Sequence, residues 1–528
     1  MGIVGLTGSC ADDDNTRGSI TIAESAQPDY LDPALSNTIN GWEPMWLVYT
    51  PLLTYRRAEG AAGAELIPGL AESLPEVSTD GRTYRLRLRK GLEYSDGSPV
   101  KASDFEHTIK RVLQLQSQGS SYYLGIEGAR DYAEQGEPEA DIPGIATNDR
   151  TGAITITLDA PEGTFSSALA ANFAGLVPAT TPFENLTRDP PAGVGPYRIT
   201  RSRPNREFVM EKNERFEIDG IPAAKLEEIR VRIVPSLERQ AQDVIDGRLD
   251  YMQDPPPPDL LGEIRSEHTD RYREYASLAT LFFFLNTQLA PFDELDVRRA
   301  VNYALDKRAL ARLFGGLIEP ACTFLPPGVP GFDRSAPCRY GDPTGPPDLA
   351  RARRLVARSG EKGAEVTVWS LNQSPGPEVA SYYAEVLNEI GLKARQKVVA
   401  VPVYSQTVGN QRTKAQTGFA SWLGDYPHPG AFLRQFSGSV TTETGNINLG
   451  NVDDPELNAG IARLGRQTDL NGVTDDWSRL DRLLVERAYV AVYGHAKRTT
   501  FMSDRMDFDN CSRVHPLYQN DYSSFCLK

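Results

Sequence analysis

The residues with the widest chemical repertoire in this 528-residue chain are five histidines, His107, His268, His428, His495 and His515, and five cysteines, Cys10, Cys322, Cys338, Cys511 and Cys526. No two histidines share the i, i+4 spacing that puts both imidazoles on one face of a helix, and no Cys-x2-Cys stands near them, so the sequence writes no zinc site. His-Glu-x-x-His, Gly-x-Ser-x-Gly and the Walker loop are absent as well. A catalytic triad assembled from distant residues leaves no linear trace, so a hydrolase stays open as one reading. The lone histidines read as surface or satisfied core groups, and His428 draws notice only because it follows Gly424-Asp425-Tyr426-Pro427 at a strand end. Four cysteines fall into two close pairs, each closing a loop of about fifteen residues, worth roughly 3 kcal/mol in the chain-entropy model. The expectation is two disulfides, Cys322 with Cys338 and Cys511 with Cys526, in an oxidising compartment. Four unrelated buried thiols are the alternative.

Cys10 ends the run Gly5-Leu6-Thr7-Gly8-Ser9-Cys10 and is followed by the polar Ala11-Asp12-Asp13-Asp14-Asn15. This is similar to the end of a bacterial lipoprotein signal peptide, in which the cysteine carries the lipid. Leu6 stands four rather than three places ahead of the cysteine, and no Lys or Arg precedes it. The expectation is a signal remnant, lipid anchor and tether over 1–18, holding an extracytoplasmic chain to the cell membrane; a plain free thiol is the competing reading.

Composition narrows the classes of partner. With 56 Lys+Arg against 71 Asp+Glu the formal charge is −15, the wrong sign for a chain whose main task is to grip nucleic acid or an anionic membrane. Hydrophobic residues at 40% and charged ones at 24% are the mixture of an ordinary globular chain, long enough for two to four structural units. No apolar run is long enough to span a bilayer as a helix.

The elements that must position any site are legible in places. Ser19 to Ala23 alternates as a strand, and Trp42 to Tyr49 reads as a buried helix. Thr83 to Arg89 alternates Tyr84, Leu86 and Leu88 with Arg85, Arg87 and Arg89; Leu92 to Tyr94 is expected as its return strand. Ser103 and Glu106 have the spacing of a capping box opening a helix to Leu113. Leu281 to Leu285 reads as a strand buried on both faces, and Val297 to Phe314 as one helix. From Asp348 onward helix, strand, helix and strand alternate, the second helix stopping at Gly391, which predicts a βαβ unit with parallel strands. Gly418 to Leu423 is a further strand ending at Gly424-Asp425, where α/β domains place ligands.

Several stretches together resemble the family 5 extracellular solute-binding proteins of ABC importers, the oligopeptide-, dipeptide- and nickel-binding group. They include Pro68-Gly69-Leu70-Ala71-Glu72-Ser73, Asp80-Gly81-Arg82-Thr83-Tyr84, Ser95-Asp96-Gly97-Ser98-Pro99-Val100, Gly195-Pro196-Tyr197, Phe284-Leu285-Asn286-Thr287 and Trp422-Leu423-Gly424-Asp425-Tyr426-Pro427, in the family's order. The resemblance implies a two-lobed α/β periplasmic-binding-protein fold, class II, of the large peptide-binding type. Lobe I would comprise 19–276 plus 491–528 with an extra domain at about 48–178, and lobe II 277–490. Strand crossings near Leu281 to Asn286 and Tyr489 to Tyr493 would form the hinge. The implied function is capture of an oligopeptide-like solute and its delivery to an ABC permease by a monomer without cofactor or metal. An oligosaccharide receptor on the same scaffold is the alternative.

The resemblance also assigns a site. Asp425 stands where oligopeptide-binding members pair an aspartate with the ligand's α-ammonium; an acid that merely holds its own turn is the competing reading. Trp422 and Tyr404 would supply aromatic walls, while Asn37 and Ile39 would meet the ligand backbone from lobe I. Phe419 occupies the place where some peptide binders carry an arginine for the ligand carboxylate, so a strict dipeptide reading is weakened. No cluster of metal ligands supports nickel.

Overall fold

The computed structural model describes residues 18–135 and 138–528. Cys10 and the expected tether lie outside the described residues, apart from Gly18.

An eleven-stranded mixed sheet runs through the molecule. Its middle pair are its longest strands, Tyr272–Leu285 and Val490–Met502, antiparallel to one another. On one side follow Thr417–Leu423, Glu365–Leu371 and Lys393–Val399. On the other come Tyr251–Met252, Ser19–Glu24, Glu228–Ile233, Glu207–Lys212 and Tyr197–Arg203, and the eleventh strand, Ile318–Pro320, pairs with Val490–Met502 outside this order. The result is a two-lobed class II α/β fold in which both lobes hang on the same two strands. The pairing of those strands shifts register between Ala276 and Thr280, so the ladder is interrupted there. From Ser277 to Leu285 every residue is buried, matching the unbroken apolar run.

The expected βαβ unit is present. Glu365–Leu371 pairs in parallel with Lys393–Val399, joined by the helix Gly376–Glu389. The preceding helix, Leu349–Ser359, ends at Gly360, whose φ of 87° few other residues tolerate. A separate four-stranded sheet contains Thr83–Arg87, in which Tyr84 and Leu86 are buried between exposed arginines. Both short cysteine loops are closed, Cys322 to Cys338 and Cys511 to Cys526.

Three local expectations differ. Thr83–Arg87 pairs with Glu76–Val77 and Ala153–Thr157, not with Leu92 to Tyr94, because the strand that can bury the same face lies far along the chain. Ser103 makes no capping box: its hydroxyl donates to Asp149, while Glu106 accepts from the Ile142 amide. The helix expected over Val297 to Phe314 is two helices, Leu295–Ala304 and Lys307–Leu313. Asp306 divides them by accepting the amides of Arg308 and Ala309, both at 3.0 Å, which starts a new helix.

Beneath the sheet two carboxyls are buried side by side, Glu24 at the end of the first strand and Glu43 in the helix Ile39–Val48. Asn40 donates to Glu24 at 3.3 Å and Gln253 to Glu43 at 3.0 Å, while Asp254, Tyr522, Asp521 and Arg498 face the pair from other elements. One oxygen of each carboxyl, with Gln253 Oε1, has no donor. Burial and the adjacent Glu43 hold Glu24 well above the usual carboxylate range, and burial pushes Glu43 up to about 8. A raised carboxyl pKa contributes stability that is fully present below the unfolded value and is lost as pH rises through the folded one. From this group the loss is at most about 1.4 kcal/mol per pH unit between about pH 5 and about pH 8. Denaturant unfolding across that range should therefore show a flatter stability curve for Glu43→Gln than for the parent, with the variant gaining most at the alkaline end; parallel curves would contradict the raised pKa.

Candidate functional site

The site grows from the end of one strand. Thr417–Leu423 pairs with Tyr272–Leu285, placing Trp422 opposite Thr280, and Gly424 then donates its amide to Leu278 at 3.1 Å, inside the register shift. The chain turns through Asp425 and Tyr426 into the short helix Pro429–Leu433. Two bonds fix this corner. His428 Nδ1 accepts the Gly430 amide at 2.9 Å, capping the helix, and Trp422 Nε1 donates to the Ala431 carbonyl at 2.8 Å. Burial pushes His428 down to about 4, so its ring is a neutral cap at physiological pH.

Asp425 projects from this corner, half-buried. Among the described residues no amide of its own turn donates to it. The phenol of Tyr122 faces it instead, and Arg434 attracts it through space. Burial raises the Asp425 pKa above its ordinary value, opposed by the Tyr122 hydrogen bond and Arg434. Tyr122 ends the 3-10 turn Gln118–Tyr122, and its ring meets that of Tyr426 edge-on at 6.2 Å. A second contact joins the same two regions, where the Gly163 amide donates to the Gly465 carbonyl at 2.8 Å.

Beside the corner lies a chamber of about 450 Å³, within the range of small-ligand sites. Trp422, Tyr404 and Phe419 form part of its wall, and Gln118 reaches it from the other side. The Tyr404 hydroxyl is spent on the Phe419 carbonyl at 2.5 Å, so its ring is a wall rather than a donor. Asn37 donates to Gln118 Oε1 and thereby touches the chamber indirectly. Ile39, half-exposed, opens the helix Ile39–Val48 and is not among the chamber residues. Gln118, Tyr122, Gln435 and Asn446 were not singled out from the sequence; a Gly/Ser-rich turn before two tyrosines was the only local hint of the first two.

The histidines are each engaged. His107 and His495 meet the carbonyls of Thr181 and Thr323, His268 meets Arg271, and His515 accepts amides of Leu517 and Tyr518. Among the described residues the one group with metal-ligand geometry is Asp507, Cys511 and Cys526, and its two sulfurs are joined in a disulfide.

Comparison with known proteins bears on this geometry. Residues 65–444 match the model of the bacterial extracellular solute-binding proteins, family 5. The chain belongs to this family. Among its relatives it is 25% identical to the dipeptide-binding protein DppE of Bacillus subtilis, over 80% of this chain and 77% of that one. It is also 25% identical to the probable di/tripeptide-binding protein 5 of Pseudomonas aeruginosa, over 97% and 96% of the two chains. Among solved structures, clavulanic acid biosynthesis oligopeptide binding protein 2 superposes with a TM-score of 0.88 at 26% identity, covering 97% of this chain and 96% of that one. Among the described residues of this family member, no helix is long and apolar enough to cross a membrane.

The corner that carries Asp425 is close-packed. A Cβ on Gly424 would lie 2.4 Å from the ring of Phe432, which is fully buried. Gly424→Ala is expected to cost about 1–3 kcal/mol through overpacking, read as a lower melting temperature; an unchanged melting temperature would mean that the turn yields freely.

Proposed function

We propose that this protein is an extracytoplasmic receptor of an ABC importer that encloses an oligopeptide-like solute between its lobes and delivers it to the permease. It would act as a monomer, without catalysis, resident cofactor or nucleic-acid partner. The observation that carries the reading is Asp425: a half-buried carboxylate at a strand end, unused by its own turn, at the corner beside the chamber. Such a group suits a ligand ammonium, because a charge-assisted hydrogen bond in a partly desolvated site is roughly twice as strong as a neutral one. The ammonium would share or displace the Tyr122 phenol. Relatives named for dipeptides, di/tripeptides and oligopeptides support the same class of ligand.

In this reading lobe I comprises 19–276 and 491–528 with its extra domain at about 48–178, and lobe II comprises 277–490. The hinge would lie at the register shift between Ala276 and Thr280, a few residues earlier on that strand than the Leu281 to Asn286 crossing that the family resemblance implies. Cys10 would carry the lipid that keeps the receptor beside its permease.

Calorimetric titration with short peptides tests the anchor. Asp425→Asn keeps the shape of the side chain and removes its charge, so affinity should fall by about 2–5 kcal/mol with little change in melting temperature. N-acetylation of the peptide should weaken binding to the parent protein similarly. A lowered melting temperature with normal binding would return Asp425 to a turn-holding role, and a loss of only about 0.5–1.5 kcal/mol would favour a neutral sugar ligand.

Closure offers a separate test, since Tyr122 and Gly163 reach lobe II only when the cleft is shut. A Cβ on Gly163 would lie 2.0 Å from the Gln467 carbonyl oxygen. Gly163→Ala should therefore raise Kd without touching the ligand, and scattering should show a larger radius of gyration with saturating ligand than the parent gives. Equal radii would count against a closing cleft.

A further inference from the structure

The chamber beside Asp425 has a chemistry of its own. Phe282, Leu371, Val408, Phe419 and Leu449 form most of its apolar wall, and its polar lining is made of hydroxyls and the amides of Gln118, Gln406, Gln435 and Asn446. None of the side chains lining it is charged. The charges of the region, Asp425, Arg434 and Glu162, lie at the neighbouring corner instead. A charge carried into such a space gives up its hydration and finds no counter-ion, a cost that an apolar group does not meet. Burial of a hydrocarbon side chain there is favourable.

The surface points the same way. Among the described residues five large apolar side chains are exposed, Leu74, Val77, Val401, Val403 and Ile447. Ile447 lines the chamber, and Val401 and Val403 start the helix Val401–Val408 that supplies Tyr404 and Val408 to its wall. Exposed apolar groups gathered at a cavity mark a place where something apolar binds.

Resting on the peptide reading, we propose that this chamber is a selectivity pocket that admits a neutral, apolar side chain near the ligand's amino end and rejects acidic and basic ones. Asp425 then supplies the anchor common to every peptide, and the chamber supplies the choice among them. The volume exceeds that of any one side chain, so leucine, phenylalanine and tryptophan all fit and shape discriminates little among them; charge is what the pocket reads.

The test is a panel of tripeptides in which leucine, phenylalanine, lysine or glutamate stands in turn at the first or second position among alanines, titrated into the full protein. At one of the two positions leucine and phenylalanine should bind at least about tenfold tighter than lysine and glutamate. Ile447→Lys, at an exposed site where the fold has little to lose, should improve glutamate at that position relative to leucine. Equal affinities across the panel, or a preference for a charged guest, would overturn the pocket assignment; if N-acetylation still weakens binding, the peptide reading survives that loss. If no peptide of the panel binds, both readings fall together.

Discussion

The whole molecule depends on one ladder. Tyr272–Leu285 and Val490–Met502 are paired at both ends and out of register in the middle, so the same two strands belong to both cores. At one end Phe283 stacks on Tyr383 and packs against Tyr493. At the other end Tyr272 and Phe501 close a separate cluster. A continuous ladder resists bending through its hydrogen bonds; here the ladder is interrupted between Ala276 and Thr280. Gly424 is bonded to Leu278 within that interruption, so the corner bearing Asp425 is tied to it.

Much of this was legible locally. Tyr84 and Leu86 announced a half-buried strand because burial alternates with the pleat. Gly360 and Gly391 stopped helices with positive φ, which few other residues adopt. Apart from the helix break at Asp306, which is local, what failed depended on partners distant in sequence. Leu92 to Tyr94 had a plausible strand composition, yet Ala153–Thr157 took the edge beside Thr83–Arg87. The contact between Tyr122 and Asp425 joins segments that nothing in either local sequence relates. Trp422, Tyr404 and Asp425 came from a motif resemblance, whereas Gln118 and Asn446 became visible only when the chamber closed around them.

The buried acids show how differently the interior treats like groups. Asp521 is buried beside Arg57 at 2.9 Å, with Arg513 at 3.3 Å, and those cations hold its pKa below the ordinary value despite burial. Glu43, buried against weaker partners, is pushed the other way. Full pairing keeps a carboxylate charged in the core; partial pairing leaves it to hold its proton. Asp425 lies between these limits, with a phenol and a distant guanidinium in place of a direct ion pair.

The C-terminal tail has a consequence for how the chain is made. Tyr522 and Phe525 share a core cluster with Ile20 and Ile22 of the first strand, and Arg57 pairs with Asp521 across 464 residues. A polypeptide that crosses a membrane amino end first delivers the first strand early and the residues that finish its core last. The βαβ unit between them can form from neighbours in sequence, but lobe I stays incomplete until the final segment arrives. In a chain made amino end first, the half that starts first is completed last, and the Cys511–Cys526 bond secures the segment that finishes it.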